Sequence, residues 1–111
     1  MEERIKNITS EVNEELIKLF GEKVKCIILY GSYARGDFNL ESDVDIMILL
    51  NCDQEEIRGK RKEISRIASR VGLRNDIMVS LLARNHKEYE DNIKYQPFYQ
   101  NIEREGMKIY G

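Results

Sequence analysis

The chain has 111 residues, 41% hydrophobic and 34% charged, and its 18 Lys and Arg against 20 Asp and Glu leave a net charge of −2. Such a length suits one domain over residues 1–111 with a modest core, and the charge balance argues against an extended nucleic-acid surface. No run approaches the ~18 apolar residues of a membrane span, and Cys26 and Cys52 form no CxxC pair, so both read as buried free thiols in a reducing, cytoplasmic setting.

The chain opens on Met1-Glu2-Glu3-Arg4, which has no apolar leader character. Ile5, Ile8, Val12, Leu16 and Leu19 then recur at helical spacing, predicting a helix over 2–20 that stops at Gly21. Val24 to Tyr30 is short, apolar and rich in branched residues, which predicts a buried strand. Gly31-Ser32 ends it, 32–35 make a helical turn and 36–39 a loop. A second strand over 43–50 alternates Val44, Ile46, Ile48 and Leu50 on one side with Asp43, Asp45, Met47 and Leu49 on the other. Asp53 followed by Glu56 resembles a capping box opening a helix over 54–71, with Gly72 as its stop. Its cations (Arg58, Lys60, Arg61, Lys62, Arg66 and Arg70) read as a solvated face. A third strand is predicted over 75–82, opened by Asp76. The tail is helical and restarts at Pro97, with Phe98, Tyr99 and Ile102 inward. Gly106 ends that helix, and 107–110 form a short edge strand. The order predicts an α/β (α+β) sandwich, with helices covering a small sheet.

The chemistry concentrates in Gly31-Ser32, ten further residues, and then Asp43-Val44-Asp45. Residues two apart on a strand share a face, so the two carboxylates should lie roughly 6–7 Å apart at Cβ. Bare, they would repel and raise each other's pKa. Magnesium between them removes the conflict, since it takes one or two carboxylates and completes its shell with substrate phosphates. Two such ions can clamp both oxygens of an in-line displacement. Asp76, at the start of a neighbouring strand, is expected to join the pair as a third ligand. Glycine at position 31 lets a phosphate approach the backbone, Ser32 adds a hydroxyl, and Arg35 one turn later balances phosphate charge. His86 and Asp37 read as surface and turn residues, the tyrosines as filling between helices and sheet.

Gly31-Ser32-Tyr33-Ala34-Arg35-Gly36, Ser42-Asp43-Val44-Asp45 and the Asp76 strand together resemble the minimal nucleotidyltransferases of the DNA polymerase β-like superfamily. The run from Pro97 to Gly106 resembles the tail of short prokaryotic members. The resemblance implies a mixed sheet flanked by helices and two magnesium ions on Asp43 and Asp45, with Asp76 supporting the catalytic one. Gly31 and Ser32 would hold the triphosphate, with Arg35 and Ser42 in the surrounding motif. It implies transfer of AMP from ATP to an acceptor hydroxyl. Short members of this kind act as type VII-like antitoxins that adenylylate a tyrosine of a partner HEPN-domain toxin. Two other readings stay open: a non-catalytic antitoxin that neutralises a partner by contact, and an aminoglycoside-type nucleotidyltransferase, for which a homo-oligomer would have to build the acceptor pocket.

Overall fold

A computed structural model describes residues 2–111. Helix α1 (Glu3–Phe20) buries Ile5, Ile8, Val12, Leu16 and Phe20, one stripe at three- and four-residue spacing. Strand β1 (Val24–Tyr30) leads into a one-turn helix α2 (Ser32–Arg35), and β2 (Val44–Leu50) follows a loop. Helices α3 (Gln54–Gly59) and α4 (Arg61–Asn75) come next, then β3 (Val79–Asn85), α5 (His86–Asn92), α6 (Pro97–Glu105) and β4 (Met107–Tyr110).

The four strands form one mixed sheet in the order β3-β2-β1-β4. β1 pairs antiparallel with β2 and β4, whereas β2 and β3 run parallel. Alternation along the strands therefore feeds two apolar layers. Ile27, Leu29, Val44, Ile46 and Ile48 pack beneath α1 and α4. Cys26, Ile28, Met47 and Leu49 face Tyr89 of α5 with Tyr99 and Ile102 of α6. Both cysteines are buried and unpaired, as expected. Among the described residues, no helix is long and apolar enough to cross a membrane.

The second layer depends on Tyr89, which is 1% exposed and donates its hydroxyl to Glu103 Oε2 at 2.7 Å. Its ring lies 4.6 Å from that of Tyr99. Tyr89→Phe keeps the packing and removes one hydrogen bond, so unfolding in urea should show a loss of about 1 kcal/mol. No loss would mean that the α5–α6 layer does not need this link.

Three boundaries differ from the sequence-based expectation. The helix predicted over 54–71 is two helices meeting at Lys60, the first capped by Asp53 Oδ1 accepting from the Glu56 N–H at 2.8 Å. Gly72 does not stop α4. It lies inside the helix because the returning chain passes so close that a Cβ there would sit 2.6 Å from the Ile77 carbonyl oxygen. The helix ends instead on Asp76, at φ 51°, and β3 begins only at Val79.

Candidate functional site

One end of the sheet gathers the chemistry. β1 leaves the core there, while β2 and β3 enter it, so the Gly31 turn, the Asp43–Asp45 segment and the approach to β3 are neighbours. Asp45 stands opposite Tyr30 on β1 and level with Ser80 on β3. It shares the side of β2 that carries Met47 and Leu49, so it belongs to the α5–α6 face. Asp43, exposed and two residues earlier, precedes the first residue of β2.

Gly31 has φ 76° and ψ −156°, a conformation that side chains resist. Its bare Cα also makes room for the Asp45 carboxylate, which a Cβ at this position would strike. The Ala34 and Arg35 N–H groups both return to the Gly31 carbonyl, at 3.1 and 3.0 Å. The N–H groups of Ser32 and Tyr33 precede these bonds, as first-turn donors do in any helix.

Burial first, and the Asp43 charge second, push the Asp45 carboxyl above its ordinary value, while Arg35 acts in the opposite direction. Burial and the Asp45 charge push the Tyr30 hydroxyl up to about 12. Its ring meets Phe98 edge-on, with centroids 5.6 Å apart. Among the described residues, no Lys, Arg or His forms an ion pair with Asp43 or Asp45. Arg35 is engaged elsewhere, with Nε 3.1 Å from Asp37 Oδ2 and Nη1 3.5 Å from Glu105 Oε2.

The structure thus brings Gly31, Ser32, Asp43 and Asp45 together and sets Arg35 at their border. Ser42 serves the loop: its Oγ accepts from the Asn39 N–H at 2.9 Å. Asp76 lines one cavity with Asp43 but forms no three-acid cluster with the pair. Among the described residues, no three His, Cys, Asp or Glu side chains are placed to hold a metal ion. The physical reason is the longer α4, which consumes 72–75 and leaves Asp76 as a left-handed cap, its carbonyl accepting from Arg4 Nη2 at 3.2 Å. Sequence reasoning missed Tyr30 and Ser80, the residues actually level with Asp45. That pairing is a register between strands, which no local sequence pattern carries.

Residues 9–108 match the family described as "Nucleotidyltransferase domain". A Methanocaldococcus jannaschii protein named "Putative protein adenylyltransferase MJ0141" is 35% identical over 92% of this chain and 95% of its own length. A second protein of the same name from that organism, MJ0604, is 28% identical over 79% of this chain and 80% of its own. Among solved structures, a toxin–antitoxin with AMP-PNP superposes with a TM-score of 0.59 at 20% identity, covering 93% of this chain and 73% of that one. A mutant of the toxin–antitoxin MntA-HpeT gives 0.58 at 19%, with the same coverage. At such identities the two structures speak for the fold. With the family pattern spanning nearly the whole chain, and a relative of matching length at more than a third identity, the chain is an enzyme of the nucleotidyltransferase domain family.

Proposed function

We propose that this chain moves AMP from ATP to a tyrosine hydroxyl of a partner HEPN-domain toxin and so silences it. The observation that carries the reading is the Asp43–Asp45 pair beside the Gly31 turn: two adjacent carboxylates, one raised by burial and by the other, with no Lys, Arg or His ion-paired to either among the described residues. That donor set fits magnesium, a hard cation that accepts few protein oxygens and takes the rest from phosphates. Asp43 and Asp45 would hold two such ions, which when bound supply charge neutralisation and alignment of the triphosphate.

The remaining work falls to the chain's own residues. Gly31 gives the phosphates access to the backbone, and Ser32 offers its hydroxyl and N–H. Arg35, exposed and held by Asp37 and Glu105, is near enough to turn toward the triphosphate. In the transfer, the acceptor oxygen bonds to the α-phosphorus as the bond to the pyrophosphate oxygen breaks, and the hydroxyl proton is released. The relatives' name, protein adenylyltransferase, and the toxin–antitoxin character of the structural neighbours support a protein acceptor.

The test uses ATP labelled at the α-phosphate, magnesium, and the protein encoded beside this chain's gene. Label on a tyrosine of that protein, with loss of its ribonuclease activity, is the expected result. Absence of label from every protein offered would overturn the reading.

A further inference from the structure

We infer that the joint between α3 and α4 binds the sugar–phosphate backbone of a nucleic acid, at the end of the sheet away from the carboxylate pair. The chain there reads Arg58-Gly59-Lys60-Arg61-Lys62, and Arg66 follows one turn on. A cavity of about 620 Å³ opens at the joint, lined by Arg58, Gly59, Arg61, Lys62, Ser65 and Arg66. Its four cations are all exposed. Among the described residues, neither they nor Lys60 form an ion pair. Farther along the same helix the pattern reverses: Arg70 Nη1 lies 2.9 Å from Glu15 Oε2, and Arg74 pairs with Glu11. Neither flanking acid lines the cavity. Glu56 is paired with Lys23, and Glu63 Oε2 is buried without a hydrogen-bond partner. A solvated helix face mixes both signs. Cations alone around a concavity make a local positive field, which the chain's net charge of −2 conceals.

The lining selects the ligand. It contains no apolar and no aromatic residue, so a protein partner would find no apolar centre to bury. A single phosphate would leave most of the cations unneutralised, whereas a backbone with a phosphate at every residue meets several at once. The arginine forks suit phosphate oxygens, and the Ser65 hydroxyl can donate to another. With no ring to stack a base, contact is to the backbone and independent of sequence. The place is also remote from the carboxylates. β2 runs from them toward α3, and α4 returns over 15 residues, a rise of about 20 Å. Its last turn, not its first, reaches the loop before Asp43. A strand held at the joint therefore leaves the carboxylates free, whatever they transfer.

The experiment measures fluorescence anisotropy of labelled mixed-sequence RNA and DNA oligonucleotides, about 20 residues long, over a range of salt concentrations. Four neutralised phosphates give a slope of about −3 for the logarithm of affinity against that of salt. The variant R58Q/R61Q/K62Q/R66Q should bind at least about tenfold more weakly at low salt and lose most of that slope. R58K/R61K/R66K keeps the charge and should keep the slope. The control K18Q/K25Q/K87Q/K108Q removes the same charge from other exposed positions and should weaken binding less than about threefold. All substituted side chains are exposed, and each variant's melt is recorded first. Comparing the RNA and DNA arms tells which nucleic acid is held more tightly. A wild type that binds neither at low salt would overturn the proposal. Equal loss in the control would overturn it too, by tracing binding to overall charge. So would an acidic polypeptide, poly-Glu, that binds the cavity at least as tightly as RNA or DNA.

Discussion

Replacing Asp43 or Asp45 with Ala should lower AMP transfer at least about a thousandfold, a loss of about 4 kcal/mol of transition-state stabilisation. Each carboxylate would be half of the pair proposed to hold the cations, and among the described residues no third acid completes a metal-holding cluster with them. Label transfer and toxin activity are read together. Transfer lost with the toxin still active is the enzymatic outcome. Transfer lost with the toxin fully neutralised would mean that contact alone suffices.

The same site should show the opposite sign in stability. Asp45 holds its proton more tightly in the folded protein than in the unfolded chain, because burial and the Asp43 charge disfavour the carboxylate. Folding stability therefore falls as pH rises from the ordinary carboxylate value of 3.8 toward the raised folded value. Above that window the wild type carries the whole penalty, and Asp45→Asn escapes it. In EDTA at neutral pH the inactive Asp45→Asn protein should melt a few degrees higher than the wild type. The gap should close as the pH drops below the carboxylate range. A variant that melts lower at neutral pH would mean that the carboxylate is satisfied without cations.

Why these residues meet was only partly legible in the sequence. Alternation through 43–50 gave the correct faces of β2, because each side chain's direction depends on parity alone. The pairing of Tyr30 with Asp45, which brings the glycine turn onto the acid pair, is a register between strands, and no local pattern encodes it. Arg35 meeting Glu105, seventy residues on, is equally invisible until α6 is placed. Asp76 misled for a different reason. Asp76-Ile77-Met78-Val79 looks like the start of a strand, and Gly72 looks like the end of a helix. The glycine is needed where α4 passes the Ile77 carbonyl, so the helix runs on through it and pushes the strand four residues later.

Gly31→Ala is the sharpest test of how the two halves of the site depend on each other. The backbone there, φ 76° and ψ −156°, lies in a region that costs a side-chain-bearing residue about 1–3 kcal/mol. The added methyl would also meet the Asp45 carboxylate. Either the turn relaxes and the Ser32 donors swing away, or Asp45 moves off Asp43. A misplacement of about 1 Å at a reacting centre can cost a hundredfold in rate, so transfer should fall at least that far. Gly36→Ala separates strain from collision. Gly36 also has a positive φ, 86°, but nothing lies within 4 Å of where its Cβ would be. It should lose about 1 kcal/mol of stability for its left-handed backbone and keep most of its transfer activity. Equal activity losses in the two variants would trace the defect to backbone strain near α2. Loss confined to Gly31→Ala would show that the bare Cα of residue 31 is what keeps the second carboxylate in its working place.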